Sequence, residues 1–111
     1  METGLLRHYQ DTDIALWGSE VCRTYFATDK LTFGMSELPP YQNGTVDPGH
    51  KDAHEVFICA RGHVLCLLVE EQKYYELKEN DALLIPPAVG HQVFNIGSEP
   101  AVIYYACAPR P

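Results

Sequence analysis

Basic residues are scarce in this sequence: 8 lysines and arginines stand against 15 aspartates and glutamates, a net charge of −7 over 111 residues. No basic run is present to follow a phosphate backbone or an anionic bilayer, so neither nucleic acid nor membrane is expected as a partner. No apolar stretch approaches the roughly 18 residues of a membrane-spanning helix. The segment Met1–Arg7 has neither the charge nor the apolar length of a secretory leader. Paired cysteines are also missing. Cys22, Cys59, Cys66 and Cys107 lie far apart, none in a Cys-x-x-Cys pair, each within an apolar run. In such runs free cysteine behaves as a small hydrophobe, and a reducing, cytoplasmic setting is expected. Sustained helical periodicity with caps, linkers and low-complexity tracts are absent as well.

What is there is 46% hydrophobic, enough for one core in a single domain of this size. The apolar residues fall in short runs punctuated by Gly and Pro. Strands are predicted at 14–17, 21–27, 31–38, 55–60, 63–69, 73–77, 82–85, 92–96 and 102–107, with turns at Asp29-Lys30, Asn43-Gly44, Pro48-Gly49, Lys78–Asp81 and Gly97–Pro100. Pro39-Pro40 and Pro86-Pro87 stop the strands before them, because proline cannot donate to a ladder. The runs either side of Arg61-Gly62 read as a hairpin. Short strands at regular spacing imply an all-β sandwich or barrel. Residues 1–20 are expected as an N-terminal arm or edge strand, and 21–111 as a single barrel domain.

Two clusters carry the chemistry. The first is Pro48-Gly49-His50-Lys51-Asp52-Ala53-His54-Glu55, and the second is Ile85-Pro86-Pro87-Ala88-Val89-Gly90-His91-Gln92-Val93-Phe94-Asn95. Side chains alternate along a strand, so His91 and Asn95 share a face, as do Glu55, Phe57 and Cys59. If both strands line one interior, imidazole and carboxylate meet there. That pairing suits Fe(II), Mn(II), Zn(II), Ni(II) or Cu(II). His50 and His54 have the opposite parity to Glu55. A bend near Lys51–Ala53 would bring either inward, and parity alone leaves them as competing or joint ligands. His63 reads as an exposed strand residue, and Asn95 as an amide that satisfies loop backbone.

These residues resemble the cupin superfamily, and the small single-domain type with one conserved barrel in particular. Its motifs run G-x5-H-x-H-x3,4-E-x6-G and G-x5-P-x-G-x2-H-x3-N. Glu55 is followed by six residues and Gly62, and His50 stands where the second motif histidine falls. Pro86, His91 and Asn95 match the second motif in type and spacing. The departures are specific. The first motif histidine falls on Pro48, and the second motif's glycines on Asn80 and Ala88. The resemblance covers about residues 31–107. It implies a small jelly-roll β-barrel (a double-stranded β-helix), often a homodimer, with a divalent transition metal in the barrel mouth.

The ligand set so implied is His50, His54, Glu55 and His91, with His54 replacing the histidine absent at Pro48. Glu55 would be a ligand or, just off the metal, a general base. The expected activity is metal-dependent chemistry on a small oxygenated organic molecule, as a dioxygenase or as a lyase or isomerase. The alternatives are a non-catalytic domain that binds or senses a small ligand, and a structural partner module.

Overall fold

The computed structural model of the chain describes residues 3–111. Alternation of inward and outward side chains builds its walls. In β4 (His54–Arg61) and β8 (His91–Asn95), every second residue is buried. β5 (Val64–Leu68) buries Val64, Cys66 and Leu68 in the same way. The remaining strands are β1 (Asp13–Trp17), β2 (Glu20–Ala27), β3 (Thr32–Leu38), β6 (Lys73–Leu77), β7 (Ala82–Ile85) and β9 (Ala101–Ala108). A 3₁₀ turn at Tyr9–Asp11 is the one helical element among the described residues.

The strands form two antiparallel sheets, one ordered β1-β2-β3-β9-β4-β7 and one ordered β6-β5-β8. Their inner faces enclose a core of Leu38, Phe57, Cys59, Val64, Cys66, Leu68, Leu77, Ile85, Val93, Ala101 and Ile103. Burying a Leu, Ile or Val of this kind stabilises the fold by about 1.5–3 kcal/mol. This is the jelly-roll double-stranded β-helix expected from the sequence.

The hairpin expected at Arg61-Gly62 does not form. β4 pairs with β7 and β9, whereas β5 pairs with β6 and β8. The chain crosses between sheets here. A register shift between Cys59 and Arg61 bends β4, and Gly62 takes a φ of 95° that a side chain would resist. Two apolar runs joined by a tight turn look alike in sequence whether the turn folds one sheet or links two.

The N-terminal segment lies against the larger sheet. β1 pairs with β2 and is exposed along its whole length. Ahead of it, the Tyr9 hydroxyl donates to Glu37, and the Arg23 guanidinium stacks 4.0 Å over the Tyr9 ring while pairing with Glu37 at 3.2 Å. At one barrel end, the buried Asn95 amide donates to the carbonyls of Leu38, Pro39 and Glu99 and accepts from the Gly97 N–H. The structure thus gives Asn95 the loop-tying role its position suggests.

Candidate metal centre

Glu55 and His91 come from different sheets. Glu55 faces inward from β4, flanked by Ile85 on β7 and Cys107 on β9. His91 opens β8, opposite Leu68 on β5. Both are nearly sealed from solvent, at 5% and 3% exposure. Glu55 Oε1 stands 3.2 Å from His91 Nε2 and 3.5 Å from His50 Nε2. His50 sits in the loop before β4, where its carbonyl accepts the Ala88 N–H. The loop departs from strand geometry between residues 50 and 54, so His50 escapes the parity that would turn it outward.

His54 is not part of this group. It is the first residue of β4, exposed, and paired with Ala108. Strand alternation sends its side chain to the face opposite Glu55. Its place is taken by Asp47, which sequence reasoning missed. One Asp47 oxygen accepts the Gly49 N–H at 2.8 Å. The other lies 3.6 Å from His91 Nε2 and 3.9 Å from His50 Nε2. Asp47 also exchanges both backbone hydrogen bonds with His91, each at 2.8 Å. The one sequence signal was its position, next to the Pro48 that replaces a motif histidine. Cys107, a fifth potential donor, groups with His50 and Glu55.

The tautomer of His91 follows from its neighbour. Its Nδ1 lies 3.1 Å from the Val89 carbonyl, which can only accept, so Nδ1 carries the hydrogen and Nε2 of the neutral ring presents a lone pair. That lone pair faces a carboxylate oxygen, and neither Nε2 nor Glu55 Oε1 has an aligned hydrogen-bond partner. Two buried acceptors at this distance repel unless a proton or a metal cation lies between them. Burial pushes the His91 pKa down, but Glu55, the Val89 carbonyl and Asp47 together outweigh it, and the net shift is upward. The groups around His91 therefore favour positive charge at this point. Donors about 2.1 Å from a first-row ion stand about 3.0–3.4 Å apart, close to the separations found here. Asp47, Glu55 and His91 offer donor atoms within 4.8 Å of one another, as do His50, Glu55 and Cys107. The residues present fit a divalent transition metal.

The centre opens into a cavity of about 500 Å³, lined among others by Trp17, Glu20, Tyr105 and Cys107. Burial raises the Tyr105 pKa, so its hydroxyl remains a hydrogen-bond donor. Burial, reinforced by the Glu55 charge, pushes the Cys107 thiol up to about 12. Burial also raises the Glu20 carboxyl, more than the Ser36 hydroxyl lowers it. His63 lies at the far end of β5, with Nε2 3.2 Å from Glu76, and takes no part.

A sequence profile of the cupin domain family matches residues 34–107, two-thirds of the chain. The protein is a member of the cupin domain family. No curated protein sequence matches this cupin. Among solved structures, KdgF from Halomonas sp. is 18% identical with a TM-score of 0.78, over 98% of this chain and 96% of that one. The iron(II) form of HppE is 15% identical with a TM-score of 0.79, over 96% of this chain and 62% of HppE. The cupin domain of an XRE family transcriptional regulator from Enterobacter cloacae is 15% identical with a TM-score of 0.72, over 81% and 96%. At these identities the likeness establishes the barrel. The cupin described here contains no helix long and apolar enough to cross a membrane among its described residues.

Proposed function

We propose that this cupin is a divalent-metal enzyme acting on a small oxygen-bearing organic molecule, with His50, Asp47, Glu55 and His91 holding the metal. The observation that carries this reading is the facing pair of buried, unpartnered acceptors, His91 Nε2 and Glu55 Oε1. Iron, manganese, zinc, nickel or copper would suit two imidazoles and two carboxylates. When bound, such an ion polarises a carbonyl or enolate oxygen and acidifies water.

The protein's own groups would do the rest. Val89 and Gly49 orient His91 and Asp47 through their backbone atoms, the second layer that keeps ligands aimed. Glu55, when not holding the ion, is placed to accept a proton at Oε1. Tyr105, its hydroxyl over Gly34 beside Thr24, would shape the wall on which the substrate lies. Val93, the Tyr105 ring and the barrel walls exclude bulk water. Dioxygenase, lyase and isomerase reactions all draw on these parts. HppE in its iron(II) form shares the barrel, which favours iron for the first trial.

A second reading is a ligand-binding domain without turnover. It is favoured by the histidine lost at Pro48 and by the likeness to a regulator's cupin domain. We also infer a homodimer formed through the outer face of the larger sheet, where Val56, Ile58 and Leu84 are exposed side by side on β4 and β7. Sedimentation of the wild type beside Ile58→Lys reads this directly. The free thiols at Cys22, Cys59, Cys66 and Cys107 favour a cytoplasmic location.

Elemental mass spectrometry of untagged protein, purified without chelator, tests the main reading. Near-stoichiometric metal is expected in wild type, with affinity at least tenfold weaker in Asp47→Asn, which keeps the acceptor for Gly49. No metal after reconstitution with iron(II), manganese or zinc would refute the enzyme and leave the binding domain.

A further inference from the structure

The metal ligands account for only part of the cavity's polarity. Three carboxylates line it, Glu20, Asp47 and Glu55, and none of its lining residues is a lysine or arginine. Two of the three belong to the proposed metal set. Glu20 does not. It sits at the start of β2, directly across from Trp17 on β1. No ion pair involving Glu20 is present among the described residues; the salt bridges lie at Arg23–Glu37, Arg61–Glu99 and the histidine contacts. Burial above all opposes its ionised form, with Asp47 and Glu55 adding to it, while the Ser36 hydroxyl and His91 act the other way without outweighing them. Glu55, 95% buried, presents an unpartnered acceptor oxygen in the same cavity.

A carboxylate on a desolvated wall without a counter-ion, held only by a hydroxyl such as that of Ser36, is a cost to the fold that one hydrogen bond offsets in part. A ligand cation removes it. Trp17 adds the complementary surface, since an indole beside a carboxylate is the combination that recognises ammonium through cation–π and ionic attraction together. Trp17 is 55% exposed, so its ring is available at the rim and not committed to the core. An anionic ligand meets the reverse situation. With the charge of a bound divalent ion offset by Glu55 and Asp47, no positive group is left to receive a second carboxylate or a phosphate.

We propose that the cavity takes a small organic amine, its ammonium docked on Glu20 beside Trp17 and an oxygen of the same molecule turned toward the His50, Glu55 and His91 cluster. This rests on the metal reading for the oxygen, whereas the ammonium contact stands without it. The specificity is therefore for cationic compounds over neutral ones, and against acids.

Three probes of one size separate the charges: benzylamine, benzyl alcohol and benzoate. Binding is followed by heteronuclear NMR shifts and calorimetry on metal-free and metal-loaded protein. Benzylamine is expected to bind in both forms, shifting Trp17 and Glu20 resonances, and more tightly than the other two. Glu20→Gln should weaken benzylamine by roughly tenfold or more while leaving benzyl alcohol unchanged. Trp17→Ala, at an exposed site where the fold tolerates truncation, should weaken it several-fold. The proposal is overturned if benzylamine fails to bind, if benzoate or benzyl alcohol binds as well, or if Glu20→Gln leaves the amine's affinity intact. Because the amine is tested without metal, protein that binds benzylamine but no ion refutes the metal reading alone. Protein that binds the ion but not the amine refutes this inference alone.

Discussion

His91 Nε2 and Glu55 Oε1 stand 3.2 Å apart across the barrel, one carried by the three-stranded sheet and the other by the six-stranded sheet. Neither is aligned with a hydrogen-bond partner. An ion held between them would join the two sheets as well as serve chemistry, so metal content and stability should move together.

His91→Ala should abolish metal binding and lower the melting temperature of metal-loaded protein. At a hundredfold excess of metal over its dissociation constant, the lost stabilisation is about 2.7 kcal/mol. His54→Ala, on the outer face, should keep both metal and melting temperature. Elemental analysis beside calorimetry checks the pair. Metal retained in His91→Ala would show the site to lie elsewhere.

Glu55→Gln should act with opposite signs in the two states. In metal-free protein, the new amide N–H can donate to the His91 lone pair, relieving the repulsion and raising stability by about 1 kcal/mol. In the presence of metal the variant should lose the ligand-linked stabilisation. Denaturant melts with and without chelator measure both, and equal destabilisation in each state would contradict the assignment.

Asn95→Ala should leave metal affinity unchanged and unfold the protein more readily, by about 3 kcal/mol. Three carbonyls and one N–H lose their partner at once, the Leu38 carbonyl in the interior and the other groups part-buried, and orphaning such groups is costly. Chemical denaturation of metal-free protein reads this without interference from the ion.

Cys66 should resist alkylation in the native state. Burial pushes its thiol up to about 12, so at pH 8 only about one molecule in ten thousand carries the reactive thiolate. Iodoacetamide followed by mass spectrometry should leave Cys66 untouched until denaturant is added. Rapid native labelling would mean that this part of the core opens.

The barrel and half of the centre were legible in the sequence because both rest on local pattern. Alternation in β4 and β8 placed Glu55 and His91 inward, and the spacing to Gly62 and Asn95 pointed to the cupin motifs. The rest depends on contacts remote in the chain. Asp47 reaches the centre because its backbone pairs with His91, forty-four positions away, and no local periodicity records that. The choice between His50 and His54 turned on where β4 begins, and a strand end is the least certain feature of any pattern. The sheet change at Arg61-Gly62 was hidden for a related reason. The backbone of Cys59 bonds to Asn80 and Asp81 rather than to the following run, a pairing that only the closed barrel provides.

A β-carbon added at Gly34 would lie 2.6 Å from the Tyr105 hydroxyl oxygen and 2.5 Å from the Arg23 carbonyl oxygen. The Tyr105 ring therefore rests in space vacated by a missing side chain, and it forms one wall of the chamber. Any larger residue at position 34 must part β2 from β3 or displace that ring. The room available to a substrate and the seam between two strands are thus governed by a single hydrogen atom. A variant selected for a narrower chamber at this position would surrender sheet stability in the same step.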